Sequence, residues 1–497
     1  MGLSAAKNHR GSISLTGSEE EKMSIEQKSS HLAIDVTSLE ESIDPEAERK
    51  LVHKFDYGLV PFFCVSYFFS ALDRSNIGNA KVAGMATDIG ITDVQFSNVT
   101  SVLYATYIPF MIPGVWFMRR FARAKYYLGS MIIAWSLVTI FTIFVNGYGS
   151  LITVRLLVGL LEGSYLSCMS VIATDYYFPH ELARRSAYYF VASSFSGSFG
   201  GLIATGITKI NSGKLESWKY LYLIEGLLSL AAGIWVFLYF PDSPSVLTKT
   251  ETEKKVHADR SRRRAIYMGD TKFSKSELLA TLNWQLLLSI VIQFCQDICL
   301  YGFSTFLPII LKSGLGFNSL EAQYLTVPVY FFAGILYLIQ AEISDRTRLR
   351  GPILMFGTSI AIIGYIILLS VKKSAVKYFA CYLICFTLYL GTGLNEIWLA
   401  SNTAPAFKRG TSISFNLSLG NVAGAVSPQV YRKAPDYTLG HAFTLGCLAF
   451  CLFAIALQSW SYWRRNNIHR KILETGVDDR KQTRKHGDDD PSFKFLI

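Results

Sequence analysis

Apolar runs of close to twenty residues, parted by short polar breaks, fill the chain from about residue 58 to residue 463. A helix rises about 1.5 Å per residue, so about 20 apolar residues cross the ~30 Å hydrocarbon core of a bilayer. Read in order, the runs predict helices over 58–84, 96–118, 126–145, 151–175, 187–210 and 218–240. Six more follow over 284–311, 321–342, 352–371, 376–399, 411–431 and 441–463. A polar stretch, 241–282, opened by Phe240-Pro241-Asp242-Ser243-Pro244, separates the two sets. The pattern predicts an all-α membrane protein of twelve transmembrane helices in two pseudo-symmetric six-helix bundles. Residues 1–55 read as a disordered cytosolic tail and 56–240 as the first bundle. A basic cytosolic linker at 241–282, a second bundle at 283–465 and a cytosolic tail at 466–497 complete the division.

Composition agrees with the pattern. Of 497 residues, 51% are hydrophobic and 17% charged, where an ordinary soluble chain carries about a quarter charged. The net charge of +11 would suit nucleic acid if it were spread over a surface. It is instead concentrated in short loops: Arg119, Arg120, Arg123 and Lys125, then Arg184 and Arg185, then Arg346, Arg348 and Arg350, then Lys408 and Arg409. The linker adds Lys254, Lys255, Arg260, Arg262, Arg263 and Arg264. The positive-inside rule puts this side, and both termini, in the cytosol; Lys372, Lys373 and Lys377 run against it without reversing the balance. The partners expected are therefore a lipid bilayer and a solute, with no nucleic acid. All eight cysteines lie in or beside apolar spans, and Cys295/Cys299, Cys381/Cys385 and Cys447/Cys451 read as packing thiols on one helix face rather than as a disulfide framework.

A charge at bilayer depth costs several kcal/mol, about 3 on insertion scales, so each one needs a reason. Helix one holds Asp73-Arg74 followed by Asn76 and Asn79. Arg74 keeps its charge and offers a planar fork that matches a carboxylate, which makes it the candidate anion holder, with an internal salt bridge as the alternative. Arg155 and Glu162 stand two turns apart on one face of helix four. Glu162 is placed to take a proton when the pocket empties and to release it as substrate arrives; a structural ion pair with Arg155 or with helix one is the other reading. Helix seven carries a polar stripe, Gln293, Gln296, Asp297 and Tyr301, which must face protein or water rather than lipid. Asn395 and Glu396 in helix ten and Asn416 and Asn421 in helix eleven are candidate hydrogen-bond partners from the second half.

The two halves repeat a short basic loop. After helix two the chain reads Arg119-Arg120-Phe121-Ala122-Arg123, and after helix eight Ser344-Asp345-Arg346 with Arg350-Gly351. This resembles the gate loop of the major facilitator superfamily, with Met118 and Ala122 in the first copy standing where Asp and Gly are usual. Further motifs are Arg155-Leu-Leu-Val-Gly159-Leu-Leu-Glu162-Gly163, Phe199-Gly200-Gly201, Trp218-Lys219-Tyr220-Leu221, Ile224-Glu225-Gly226, Phe306-Leu307-Pro308, Gly420-Asn421 and Ala434-Pro435-Asp436-Tyr437. Together these are similar to the fungal allantoate permease family, in the anion:cation symporter branch, from about Phe55 to Trp463. Ser167 and Lys219 depart from that pattern, where Pro and Arg are usual.

The resemblance implies the major facilitator fold and proton-coupled symport of a small organic anion, such as nicotinate, pantothenate or allantoate. It assigns proton coupling to Asp73 and Glu162, to which the spacing on helix four adds Arg155, and gating to Arg119, Arg120, Asp345 and Arg346. The expected substrate site is Arg74, Asn76, Gln293, Asp297, Tyr301, Asn395 and Asn416. The driving force expected is the proton gradient, with no cofactor or metal and no enzymatic activity, because phosphate-loop and zinc-ligand spacings do not occur. A monomer is expected, with the plasma membrane favoured over endoplasmic reticulum or vacuole. Two alternatives keep the same pocket: a nutrient sensor that does not transport, and a uniporter without proton coupling.

Overall fold

A computed structural model describes residues 44–121, 123–207, 215–268, 280–404, 406–432, 436–475, 487–491 and 493–497. Most of the expected disordered tail, part of the linker (269–279) and part of the last tail (476–486) lie outside the described residues. Every regular element described is helical. The first half holds α1 (Pro45–Val82), the short α2 (Met85–Ile89), α3 (Asp93–Phe121), α4 (Ala124–Phe141), α5 (Tyr148–Glu162), α6 (Tyr165–Tyr176), α7 (Pro179–Ile207) and α8 (Ser217–Tyr239). Linker helices α9 (Pro244–Leu247) and α10 (Glu251–Met268) follow. The second half holds α11 (Trp284–Ile309), α12 (Ser319–Tyr324), α13 (Thr326–Thr347), α14 (Arg350–Ser370), α15 (Ser374–Leu388), α16 (Leu390–Ser401), α17 (Ala406–Gly420), α18 (Val422–Val430) and α19 (Thr438–Thr475).

Local chemistry sets these boundaries. Asp44 caps α1 by accepting from the Glu46 N–H at 2.9 Å, with Pro45 in the first turn. The helix therefore begins inside the segment expected to be disordered up to residue 55. Asn283 caps α11 through the Leu286 N–H, and Asn318 with Glu321 forms a full capping box at α12. Nine helical segments among the described residues are long and apolar enough to cross a membrane, or ten if the bent pair within α3 counts as one. The other two expected spans are α7 and the pair α17–α18, which are too polar to pass by composition. Two hydroxyls of α7 find partners across the seam: Ser194 and Ser198 donate to the carbonyls of Tyr330 and Val327 on α13.

Within the first half α4 packs on α8, α3 on α5, and α1 on both α7 and α8. Glycines allow the closest of these approaches: a Cβ at Gly129 would collide with the Phe237 backbone, and one at Gly159 with the Leu103 carbonyl. In the second half α14 packs on α15 and α19, and α11 packs on α16 to α19. The halves meet along α1–α11, α3–α18 and α7–α13. Those seams are bonded toward the face opposite the linker, where Ser101 donates to the Ala425 carbonyl, Gln429 to the Ser97 carbonyl and Lys312 to the Val82 carbonyl. On the linker face α10 is tied to the first half, with Arg260 reaching Glu48 and Glu181, and Lys54 reaching Glu253.

The expected last tail is in part a continuation of α19, which runs to Thr475. Residues 493–497 lie back across the linker face of the second half as a strap. Asn402 exchanges both amide bonds with Leu496, Trp398 donates to the same carbonyl, and the Arg350 N–H donates to the Ile497 carbonyl at 2.7 Å.

Candidate functional site

A cavity of about 70 Å³ lies between the halves, walled by α1, α3, α5, α6 and α7 on one side and by α11, α13, α16, α17 and α18 on the other. Arg74 enters it from α1. Its Nη1 donates to Glu162 Oε1 at 2.5 Å and to the Tyr107 hydroxyl at 3.3 Å, and Ser70 donates to the same Glu162 oxygen. The guanidinium lies 5.7 Å from the Tyr67 ring centre and 5.8 Å from that of Tyr107, within cation–π range. Glu162 is completely buried, so its charge is held by Arg74 and Ser70 rather than by water.

Of the two ion pairs open to Glu162 in the sequence, the one formed is with helix one. Arg155 also lines the cavity but donates to Tyr222 at 3.1 Å. Successive helical residues turn by about 100°, and this splits groups that adjoin in sequence. Asp73 points behind Arg74 into the first bundle, beside the Trp135 indole. Asn76, expected to bind substrate, is buried outside the cavity lining.

The stripe on α11 divides in the same way. Asp297 and Tyr301 reach the cavity, whereas Gln296 turns into the second bundle and bonds Thr358 and Thr387. Gln293 stands behind Asp297: its Nε2 donates to both carboxylate oxygens at 3.1 Å, while its Oε1 accepts from Asn395 at 3.0 Å and Asn416 at 3.2 Å. Asn395 and Asn416 thus serve the site through Gln293 and are not part of the cavity lining. Tyr301 donates to Asn421, which does line the cavity, and its ring centre is 5.3 Å from that of Tyr104.

The residues expected to gate sit apart, on the linker face. Arg119 pairs with Asp175 at 3.5 Å and Asp345 with Arg350 at 2.6 Å, both inside their own half; Arg346 pairs with Glu342. Met118, in the position matching Asp345, is buried.

Tyr104, Tyr107 and Thr392 of the cavity wall are not distinguished in the sequence, because an aromatic or a threonine in an apolar span carries no signal of its own. Glu225 of α8, outside the expected site, is fully buried, with both carboxylate oxygens unbonded among the described residues. A glutamate inside an apolar span was the available signal for it.

Comparison with known proteins accounts for this architecture. Residues 63–428 match the model of the Major Facilitator Superfamily. An uncharacterized transporter of Schizosaccharomyces pombe is 43% identical over 92% of this chain and 95% of its own length. The high-affinity nicotinic acid transporter of Saccharomyces cerevisiae is 33% identical over 90% of this chain and 85% of its own length. Among solved structures, a proton:xylose symporter bound to 6-bromo-6-deoxy-D-glucose superposes with a TM-score of 0.65 at 13% identity, over 82% of this chain and 95% of that one. An inward-facing bacterial homologue of the lysosomal transporter Spinster gives 0.60 at 16%, over 81% and 95%.

Proposed function

As the chain belongs to the major facilitator superfamily, we propose that it is a symporter that carries a small organic anion together with a proton by alternating access. Within the superfamily the proposal places it in the allantoate permease branch. Its substrate would be a carboxylate, vitamin or ureide of the nicotinate, pantothenate or allantoate kind. The similarity to a nicotinic acid transporter supports that choice.

One observation carries the reading: the arginine that enters the cavity is held there by a single buried carboxylate, Glu162. An incoming carboxylate competes with Glu162 for the guanidinium, and two anions cannot share one arginine in a medium of low dielectric at no cost. As Arg74 turns to the substrate, Glu162 loses its counter-charge and takes up a proton, so anion and proton load together. This order reverses the sequence expectation that Glu162 is protonated in the empty pocket. The partner of Glu162 is Arg74, which the substrate removes, rather than Arg155, which would have stayed.

Arg74→Lys tests the clamp. Lysine keeps the charge without the planar fork. Uptake of radiolabelled carboxylates into cells lacking their own permeases should fall by at least about tenfold, equivalent to about 1.4 kcal/mol, with surface expression unchanged. Parental uptake by Arg74→Lys would leave the Arg74–Glu162 pair a structural salt bridge.

A further inference from the structure

The cavity has an anion-holding wall on the first half and a second, opposite wall of different character. Asp297 on α11 is buried, lines the same cavity as Arg74, and is bonded by neutral groups, Gln293 and the Thr392 hydroxyl at 2.7 Å. Among the described residues no lysine, arginine or histidine forms an ion pair with it. Its orientation is imposed from behind. The Gln293 oxygen already accepts from Asn395 and Asn416, so the Gln293 amide N–H groups can only face Asp297. Four side chains from α11, α16 and α17, Gln293, Thr392, Asn395 and Asn416, are thus spent on aiming one carboxylate at a cavity.

A buried carboxylate without a counter-charge costs several kcal/mol, and a threonine or asparagine would satisfy the same neutral donors more cheaply. The arrangement makes sense if the counter-charge arrives with the ligand. Between the two walls stand Tyr67, Tyr104, Tyr107 and Tyr301, whose faces suit a flat or cationic body.

We propose that the cavity takes a zwitterion, its carboxylate on Arg74 and a protonated nitrogen on Asp297, so that one ligand is held by both halves at once. The inference rests on the carboxylate reading of Arg74 and narrows it. It also supplies a reason for closure: a ligand that bonds α1 and α11 together favours the state in which those helices are closest, in proportion to its differential affinity.

The test uses two solutes of the same shape, 3-(aminomethyl)benzoate and 3-ethylbenzoate, which differ by an ammonium in place of a methyl group. Radiolabelled uptake of each is measured into proteoliposomes holding the full chain. The parental protein should prefer the ammonium compound by at least about tenfold, the scale of one charge-assisted hydrogen bond. Asp297→Asn keeps the size and the Thr392 contact but removes the charge, and the preference should fall to within about twofold of unity. Asp297→Glu keeps the charge and should retain a clear preference, which a purely structural role would not predict. A parental preference below twofold, or an Asp297→Asn preference equal to the parental one, overturns the inference. Arg74→Lys assayed on the same pair separates the two readings. If it loses both solutes while Asp297→Asn leaves selectivity unchanged, the clamp stands and the zwitterion falls. If Arg74→Lys carries both at the parental rate, the clamp itself falls.

Discussion

Arg74 and Glu162 meet although 88 positions separate them. Glu162→Gln separates coupling from plain facilitation. Glutamine can still accept from Ser70, yet it can no longer exchange a proton. Under an acid-outside gradient, net uphill uptake should fall at least about tenfold, while counterflow exchange, with substrate on both sides, stays within about threefold of the parent. Continued accumulation would route the proton elsewhere, with Asp73 or Asp297 next in line. Loss of both readouts would make Glu162 a structural residue, because removing one partner of a buried pair typically destabilises by about 3–5 kcal/mol.

Elements that look accessory in the sequence are fastened to the bundles. Phe495 of the strap stacks on Tyr462, with ring centres 5.4 Å apart, and lies under the Arg465 guanidinium at 4.4 Å. It is almost wholly buried, so Phe495→Ala removes an apolar anchor of a segment whose backbone is also bonded by Asn402, Asn466, Trp398 and Arg350. A buried Phe→Ala change costs about 3–5 kcal/mol, enough to release the strap. Hydrogen exchange at Leu496 should then accelerate by at least about a hundredfold, with α11 unaffected; equal exchange in both proteins would refute the anchoring role. On the linker, Lys54 and the N–H groups of Thr250 and Lys249 hold the Glu253 carboxyl down at about 2. A depressed carboxylate adds stability above its unfolded value, about 4.3, and loses it as pH falls from there toward 2. Proteolysis of the linker should therefore be flat with pH from neutrality to about 5 and rise only in stronger acid.

At the scale of the molecule, two bundles share one cavity and are bonded together toward the face opposite the linker. Gly78 of α1 makes one of the closest approaches, since a Cβ there would run into the Thr305 carbonyl of α11. Gly78→Val should hold that seam apart and shift the population toward the state open on that face. A cysteine introduced at Ser304, on the cavity wall, should be labelled from that side at least about tenfold faster in Gly78→Val than in the parent. Unchanged labelling would show that the seam adapts without opening.

The all-helical character and the apolar spans, nine or ten of which are long and apolar enough to cross a membrane among the described residues, were legible in the sequence because lipid imposes a length and a polarity on each span, and both are local properties. The short basic loops and the intramembrane charges at Arg74, Glu162 and Asp297 were legible for the same reason, since each breaks an apolar run. What the spacing could not decide is which way a side chain turns once the helix is packed. Asp73 and Arg74 are neighbours in sequence, yet one backs into the bundle and the other enters the cavity. Gln293 and Asn395 read as substrate ligands and act instead behind Asp297. The choice of Arg74 over Arg155 as the partner of Glu162 also came from packing. Helical periodicity limits each side chain to an arc of directions, and only the neighbouring helices, brought close by glycines, select the point on that arc where its hydrogen bonds are met.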